Sequence, residues 1–199
     1  MTGTEFLKQF DILYNNISST QAPGLTDEEI EIFLNQAQEE LVINLYKGTV
    51  GDGFETTEEV TRYLSSLVKS KDYNSLKKEN ERVKITLDND VLFIIYQSLV
   101  LKSNDKEELL IVPIKHDNLF NALNNPFLGK KARRVLATYE ESDIIIHHDA
   151  EDIMKVCIKY LSIPDKIDVT KDKACSLPEI LHNTIVLQAV QKAKAVWQM

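Results

Sequence analysis

The sequence predicts an α+β protein: a helical bundle formed by the N-terminal helices and the C-terminal helix, with an inserted antiparallel β subdomain. Three observations carry this prediction. Helix-start signals followed by apolar residues at helical spacing fill the first 70 positions, runs of β-branched and aromatic residues fill the middle, and helical spacing returns near the end. Helices before and after a block of strands are typical of a layered α+β architecture.

Hydroxyl and carboxylate residues three positions apart mark the start of each of the first three helices. In such a capping box, each side chain satisfies a backbone N–H group that the first helical turn leaves unpaired. The boxes are Thr2 to Glu5, Thr26 to Glu29 and Thr56 to Glu59. Pro23 and Gly24 separate the first helix from the second, because neither residue continues a helix well.

Strand composition begins at Arg82, with the runs VKITL and VLFIIYQSLVL. The segment LKSNDKEELLIVPI predicts a hairpin, and a short helix is expected near 117–124 with Asp117 as its N-cap. The runs RRVLATY, DIIIHH and MKVCIKYL follow, separated by turns so short that they predict a hairpin meander. Pro164 closes the strand region, and a polar linker follows it.

The last helix starts at Ser176 and Glu179, and Pro178 is tolerated in its first turn. We expect its apolar stripe to pack against the N-terminal helices. The stripe consists of Leu181, Ile185, Ala189, Ala193, Val196 and Trp197. The predicted domains are therefore a helical bundle subdomain of residues 1–72 and 175–199 and an antiparallel β subdomain of residues 80–165.

Composition excludes several classes of protein. The 199 residues are 43% hydrophobic, which is enough for a sizeable core, and the formal net charge is −8. Proteins that bind nucleic acids by neutralising phosphates carry the opposite charge balance. The sequence has no basic and apolar leader and no apolar run near membrane-spanning length, so we expect a soluble protein that does not contact a membrane.

Catalytic and cofactor motifs are missing from the sequence. His147 and His148 are adjacent on a predicted strand and therefore point to opposite faces, which argues against a shared metal. His116 precedes Asp117 without a nucleophile motif, and neither Cys157 nor Cys175 belongs to a C-x-x-C pair. No glycine-rich phosphate loop is present. The sequence thus predicts neither an enzyme nor a cofactor or metal site.

One loop is a candidate protein interface. Phe127 is a bulky apolar residue in a turn marked by Pro126, and the following segment from Lys130 to Arg134 has four cations in five positions. The candidate interface residues are Pro126, Phe127, Lys130, Lys131, Arg133 and Arg134. Two interpretations stay open: Phe127 is tucked under the loop while the cations solvate a strand edge, or Phe127 is offered to an acidic partner.

Four stretches resemble a virion structural family of crAss-like bacteriophages and related phages of gut bacteria. They are FDILYNNISSTQAPGLTDEEIEIFLNQAQEELV, VPIKHDNLFNALNNPFLGKKARRVL, IKYLSIPDKI and CSLPEILHNTIVLQAVQKA. Together they span most of the chain in the same order. The segment LPEILHNTIVLQAVQKA also resembles the closing helix of head-to-tail connector (adaptor) proteins of tailed phages, which assemble as dodecameric rings beneath the portal.

The resemblance implies a structural protein of the virion, made in the cytoplasm of the host bacterium. It implies a homo-oligomeric ring, a dodecamer, at the head–tail junction, with the portal protein and other tail ring proteins as partners. Packaged DNA would pass close to such a ring without specific binding. Two alternatives stay open: another virion component, either capsid-associated or for tail-fibre attachment, and a small cytosolic hydrolase.

Overall fold

The structure, a computed structural model, describes residues 1–17, 24–48, 57–74, 76–79, 82–102, 108–125, 127, 134–148 and 153–197, without the side chains of 77–79 and 197. The chain divides into two compact units. We call Met1–Leu67 with Ile163–Met199 the helical unit and Val68–Ser162 the sheet unit. The domain division predicted from the sequence stays a prediction, because compactness alone does not show that a unit folds independently.

Of the α-helices in the described residues, four belong to the helical unit and one to the sheet unit. The helices are α1 (Gly3–Ile17), α2 (Asp27–Lys47), α3 (Glu58–Leu64), α4 (His116–Asn124) and α5 (Glu179–Trp197), and a 3₁₀ turn, Ser65–Leu67, follows α3. Only α4 lies in the sheet unit. None of the described helices is both long enough and apolar enough to cross a bilayer.

The predicted start of α2 is confirmed in atomic detail. The side chain of Thr26 accepts a hydrogen bond from the backbone N–H of Glu29 at 3.3 Å, and the Glu29 carboxylate accepts one from the backbone N–H of Thr26 at 2.8 Å. The start of α3 lies one residue later than predicted. Thr57 is its N-cap, whereas Thr56 lies outside the described residues.

Within the helical unit, α5 packs against both α1 and α2. Phe6 and Phe10 of α1, Leu34 of α2 and Ile185 of α5 are fully buried in this core. Four of the six predicted stripe residues of α5 are buried, namely Leu181, Ile185, Ala189 and Ala193. Val196, by contrast, is 57% exposed, because it lies in the last turn of the helix, and the Trp197 side chain is outside the described set.

The segment between the sheet unit and α5 is bound to the helical unit and is not a free linker. Ile167 and Val169 are buried, and Asn35 of α2 forms hydrogen bonds to the backbone of Ile167. Thr2 pairs with Ala174 as an isolated β-bridge. The polar composition of this segment concealed its anchoring, which depends mainly on backbone groups.

In the part of the chain that the structure describes, eight strands form one sheet. They are β1 (Val68–Tyr73), β2 (Lys77–Glu79), β3 (Arg82–Thr86), β4 (Val91–Leu101), β5 (Glu108–Pro113), β6 (Arg134–Glu140), β7 (Asp143–His147) and β8 (Ile153–Ser162). Their spatial order is β1-β8-β4-β5-β6-β7-β3-β2. The pair β5–β6 is parallel, and each other pair is antiparallel.

The predicted fold class, a helical bundle with an inserted antiparallel β subdomain, is wrong. The structure is a mixed α/β fold with a curled sheet, and that sheet contains a parallel pair. The reason is the role of α4. This short helix is the crossover between β5 and β6, and such a helical crossover lets consecutive strands run parallel. The predicted meander is also wrong at its second connection, because β7 pairs with β3 and β8 pairs with β1 and β4.

One apolar cluster forms the core of the sheet unit. Its residues come from alternate positions of β3 to β8, as expected for strands with one buried face. The cluster contains Val83, Ile85, Leu99, Leu109, Ile111, Val135, Ala137, Ile144, Ile146, Ile153, Val156, Ile158 and Tyr160. This core holds β5 and β6 in place, and their crossover carries the most exposed aromatic side chains of the described chain.

Candidate assembly interface

The crossover helix exposes large apolar side chains to solvent. Phe120 is 77% exposed and Leu123 is 44% exposed, whereas Ala122 is buried. Phe127, just beyond the helix, is 84% exposed. We call Phe120, Leu123 and Phe127 the knob. Exposed aromatic side chains close together in sequence are typical of a surface that contacts a partner.

Local hydrogen bonds fix the end of α4 that carries the knob. The side-chain amide of Asn124 donates to the carbonyl of Phe120 at 2.9 Å, and the backbone N–H of Phe127 donates to Oδ1 of Asn125 at 2.9 Å. Among the described residues the Phe127 side chain is exposed, whereas residues 128–133 of the loop lie outside them. At the other end, α4 begins at His116, so Asp117 lies in the first turn and is not the predicted N-cap.

The structure covers part of the predicted interface. Phe127 and Arg134 are described, and Arg134 is an exposed residue at the start of β6, opposite Leu110 of β5. The predicted residues outside the described set are Pro126, Lys130, Lys131 and Arg133. The sequence nevertheless places all four cations within seven positions of Phe127.

A groove lies between α3 and the start of α5 in the helical unit. Ile180, which is 66% exposed, and Pro178 contribute apolar surface to it. Its lining residues are Glu58, Glu59, Arg62, Tyr63, Ser65, Pro178 and Ile180. We call this set the groove. The Tyr63 hydroxyl donates to the Glu59 carboxylate, and this hydrogen bond raises the pKa of Tyr63.

The exposed apolar surface continues along α5 and onto α1. Leu187 is 46% exposed and Ile12 is 58% exposed, and with Gln9, Leu13 and Asn183 they line a second depression. Sequence analysis did not predict this surface. Its signal was nevertheless present, because Ile180 and Leu187 lie off the stripe that faces the core, and an α-helix with apolar residues on two faces needs two partners.

The histidines take part in structural hydrogen bonds. The His116 ring lies 3.1 Å from the carbonyl of Tyr139, so its Nε2 donates there and does not pair with Asp117. Nε2 of His147 lies 3.1 Å from the Thr138 hydroxyl, and the ring is 8% exposed. Among the described residues no group of three or more potential ligands could hold a metal; Asp149, Glu151 and Asp152 lie outside them.

Burial sets the protonation of the groups that could act as nucleophiles or bases. It raises the pKa of the Cys157 and Cys175 thiols, which disfavours the reactive thiolate. Burial also lowers the pKa of His147, and the nearby charges of Arg82 and His116 lower it further. These groups are neutral near pH 7, and the arrangement suits packing better than proton transfer.

Comparison with known proteins agrees with an assembly role. The family model described as phage tail ring protein 3/4 matches residues 1–199. The chain belongs to this phage tail ring protein family. It is 32% identical to Ring protein 3 of Bacteroides phage crAss001 over 220 aligned positions, which cover 97% of this chain and 95% of that protein. It is 28% identical to Ring protein 4/5 of the same phage over 228 positions, covering 100% of this chain and 94% of that protein.

Membership in the tail ring protein family confirms the resemblance to crAss-like phage proteins that the sequence indicated. The family consists of structural proteins of the virion and is not an enzyme family. For a tail ring protein, the knob, the groove and the surface at Ile12 and Leu187 are candidate contact surfaces, because their apolar side chains are exposed to solvent in the single chain.

Proposed function

We propose that this tail ring protein assembles with copies of itself into a dodecameric ring at the head–tail junction. The ring joins the portal protein to the tail, stacks on other tail ring proteins and lines the channel through which DNA passes. The observation that carries the proposal is the match of the ring family over all 199 residues, together with two relatives named as ring proteins. A ring subunit needs contact surfaces and no catalytic group.

The charge distribution supports a place beside DNA. The helical unit has 8 Lys and Arg against 16 Asp and Glu, whereas the sheet unit has 15 of each, so the helical unit accounts for the net charge of −8. A basic channel wall would hold phosphates, whereas an acidic wall repels them and lets the duplex slide. The ring would therefore lie near the packaged DNA without binding it specifically.

The proposed contact with neighbouring proteins is the loop that begins at the knob. Phe127 supplies an apolar anchor, and the predicted cations from Lys130 to Arg134 supply a charged rim. Anchors of this kind surrounded by polar residues carry most of the binding energy in many interfaces. An acidic surface, on another copy or on an adjoining ring, is the complementary partner.

The copy number and position of this protein in purified virions test the proposed ring. We expect the protein at the one head–tail vertex, in the copy number of a dodecamer, as measured by quantitative mass spectrometry and by antibody labelling in electron microscopy. Protein spread over the capsid, or present only on fibres, would contradict the proposal.

A triple variant tests the interface. Phe127→Ala with Lys130→Glu and Arg133→Glu should keep the melting temperature of the isolated protein but abolish its co-purification with the portal–tail complex. The matched control is Lys8→Glu with Lys166→Glu, which introduces the same charge change at two exposed positions of the helical unit. Loss of thermal stability together with normal co-purification would mean that the loop is structural.

A further inference from the structure

The crossover helix α4 buries very little of its own surface. Of its nine residues only Ala122 is buried and Leu119 is half-buried, whereas Phe120 and Leu123 are 77% and 44% exposed. Isolated helices shorter than about 12 residues are marginal in water, and most of the stability of a helix in a protein comes from packing one apolar face. The methyl side chain of Ala122 supplies little of that packing.

The first turn of α4 also lacks the cap that the shorter helix α3 has. The N-cap residue of α4 is Lys115, and no side chain accepts a hydrogen bond there. In α3, by contrast, the Thr57 hydroxyl accepts a hydrogen bond from the Val60 N–H at 3.4 Å, and Leu64 is fully buried. With seven residues against nine, α3 thus has both a cap and a core contact.

The side-chain hydrogen bonds of α4 act mainly within the segment itself. The side-chain amides of Asn124 and Asn125 bond to backbone groups between residues 120 and 127. A hydrogen bond to the sheet is made by the ring of His116, the first helical residue, at the Tyr139 carbonyl. The later turns of α4 are therefore tied to the sheet less firmly than its start.

The strands that flank α4 are held by contacts that do not include the helix. The Ile114 N–H, just before α4, donates to the Ala137 carbonyl of β6 at 2.8 Å. Ile111 and Val135 lie opposite each other in the parallel pair of β5 and β6, and both are buried in the core of the sheet unit. Proteins open locally where few contacts are lost, so α4 can open while this pair stays intact.

We propose that α4 is a locally opening element: in the free subunit it exchanges between helical and non-helical conformations while β5 and β6 stay paired. Phe120 and Leu123 then keep fixed relative positions only in the helical state. Any partner that recognises this state binds with an affinity reduced by the fraction of subunits in which α4 is helical. The inference concerns the single chain, so its test is independent of the proposed ring.

Hydrogen exchange of the free protein, followed by NMR, tests the local opening. After correction for intrinsic rates, the backbone amides of residues 120–124 should exchange at least about a hundredfold faster than the paired amides of β5 and β6. Urea below the unfolding transition should leave the α4 rates unchanged, because local opening exposes little surface, but should raise the rates of the strands. Equal protection of α4 and the strands, or the same dependence on urea, would overturn the inference.

A capping variant gives a second measurement. Lys115 has the extended backbone conformation of an N-cap, with φ −72° and ψ 145°, so a serine hydroxyl at this position should accept a hydrogen bond from the first turn. Lys115→Ser should therefore slow exchange in α4 about fivefold, the effect of one good cap.

The matched control is Lys115→Ala, which removes the same lysine without supplying a cap and should not slow exchange in α4. In both variants the rates of β5 and β6 should stay at their wild-type values, which shows that the fold is retained. Identical α4 rates in the two variants, or strand rates that change as much as those of α4, would mean that α4 does not open by itself.

Discussion

The side chain of Asn35 forms a paired hydrogen-bond contact with the backbone of Ile167. Its Oδ1 accepts from the Ile167 N–H at 2.9 Å, and its Nδ2 donates to the Ile167 carbonyl at 2.9 Å. The second amide hydrogen is used as well, since Nδ2 also donates to the carbonyl of Glu31 at 2.9 Å. One amide thus binds the segment that precedes α5 to α2 within the helical unit.

Replacing Asn35 by alanine should destabilise the protein by about 2 kcal/mol, because the backbone groups of buried Ile167 lose their partners. Chemical denaturation followed by circular dichroism measures the change. Gln36→Ala is the matched control, because Gln36 is exposed on the same helix and should change stability by less than about 0.5 kcal/mol. Equal effects of the two substitutions would show that the Asn35 contact contributes little.

The Asn35 contact also illustrates which features of the fold a sequence pattern can predict and which it cannot. Capping residues and apolar spacing act locally, so the start of α2 at Thr26 was predictable to the residue. The parallel pairing of β5 with β6 depends on where a crossover returns, and the anchoring of residue 167 depends on a single amide more than a hundred positions away. Neither the parallel strand pairing nor this contact is marked by a local pattern in the sequence.

Gly3→Ala should destabilise the helical unit, although alanine is ordinarily the better helix former. A β-carbon at residue 3 would lie 1.9 Å from the carbonyl oxygen of Asp168 and 2.7 Å from that of Lys171. These are backbone atoms, so relief requires the turn to move, at a cost of about 2 kcal/mol.

The chain provides its own control for this prediction. A β-carbon at exposed Gly24 would have no atom within 4 Å, so Gly24→Ala should leave stability unchanged or raise it slightly. Thermal melts of the two variants, measured side by side, separate close packing at residue 3 from a general effect of replacing glycine. A higher melting temperature for Gly3→Ala would contradict the packing argument.

Acid should destabilise the protein through two buried histidines. Burial lowers the pKa of His182, whose Nε2 donates to the Leu177 carbonyl at 2.8 Å, and burial likewise lowers the pKa of His147. Because each folded-state pKa lies below the unfolded value of about 6.5, the unfolded chain binds more protons in the intervening range. The free energy of unfolding is therefore fully present above about pH 6.5 and falls as the pH decreases through that range.

Urea denaturation between pH 8 and pH 5 measures this dependence. His182→Gln and His147→Gln should each reduce the slope of unfolding free energy against pH. Since His182 belongs to the helical unit and His147 to the sheet unit, the two reductions should add in the double variant. A wild-type slope in the double variant would mean that other groups cause the acid sensitivity.

The exposed apolar side chains were predictable in part, whereas the candidate interface itself stays a prediction. Phe127 was identified because a large apolar residue in a polar turn is conspicuous in the sequence, and its exposure of 84% leaves it available to a partner. Phe120 was assigned to a short helix without regard to its face, and Ile180 lies next to the predicted stripe of α5. Which face of a short or doubly apolar helix is covered depends on the surrounding fold, and the sequence does not reveal it.

Ile185 and Ile180 test which face of α5 is covered by the fold and which is exposed. Ile185 is fully buried and Ile180 is 66% exposed, so the same change to aspartate should affect stability to very different extents. Ile185→Asp places a carboxylate in the core and should destabilise the subunit by several kcal/mol, on the order of 3–5. Ile180→Asp should change the unfolding free energy by less than about 1 kcal/mol, which is the range of helix propensity.

The two variants should also differ in assembly, and here the more stable variant, Ile180→Asp, should be the defective one. Ile180→Asp should remain folded yet fail to join a ring, because its new charge enters a groove that Glu58 and Glu59 also line. Any folded Ile185→Asp protein should still join, since its groove is unchanged. Denaturation curves and incorporation into purified tails measure both effects. If Ile180→Asp both folds and assembles normally, the exposed face of α5 does not contact a neighbouring subunit, and the ring contact must involve another surface.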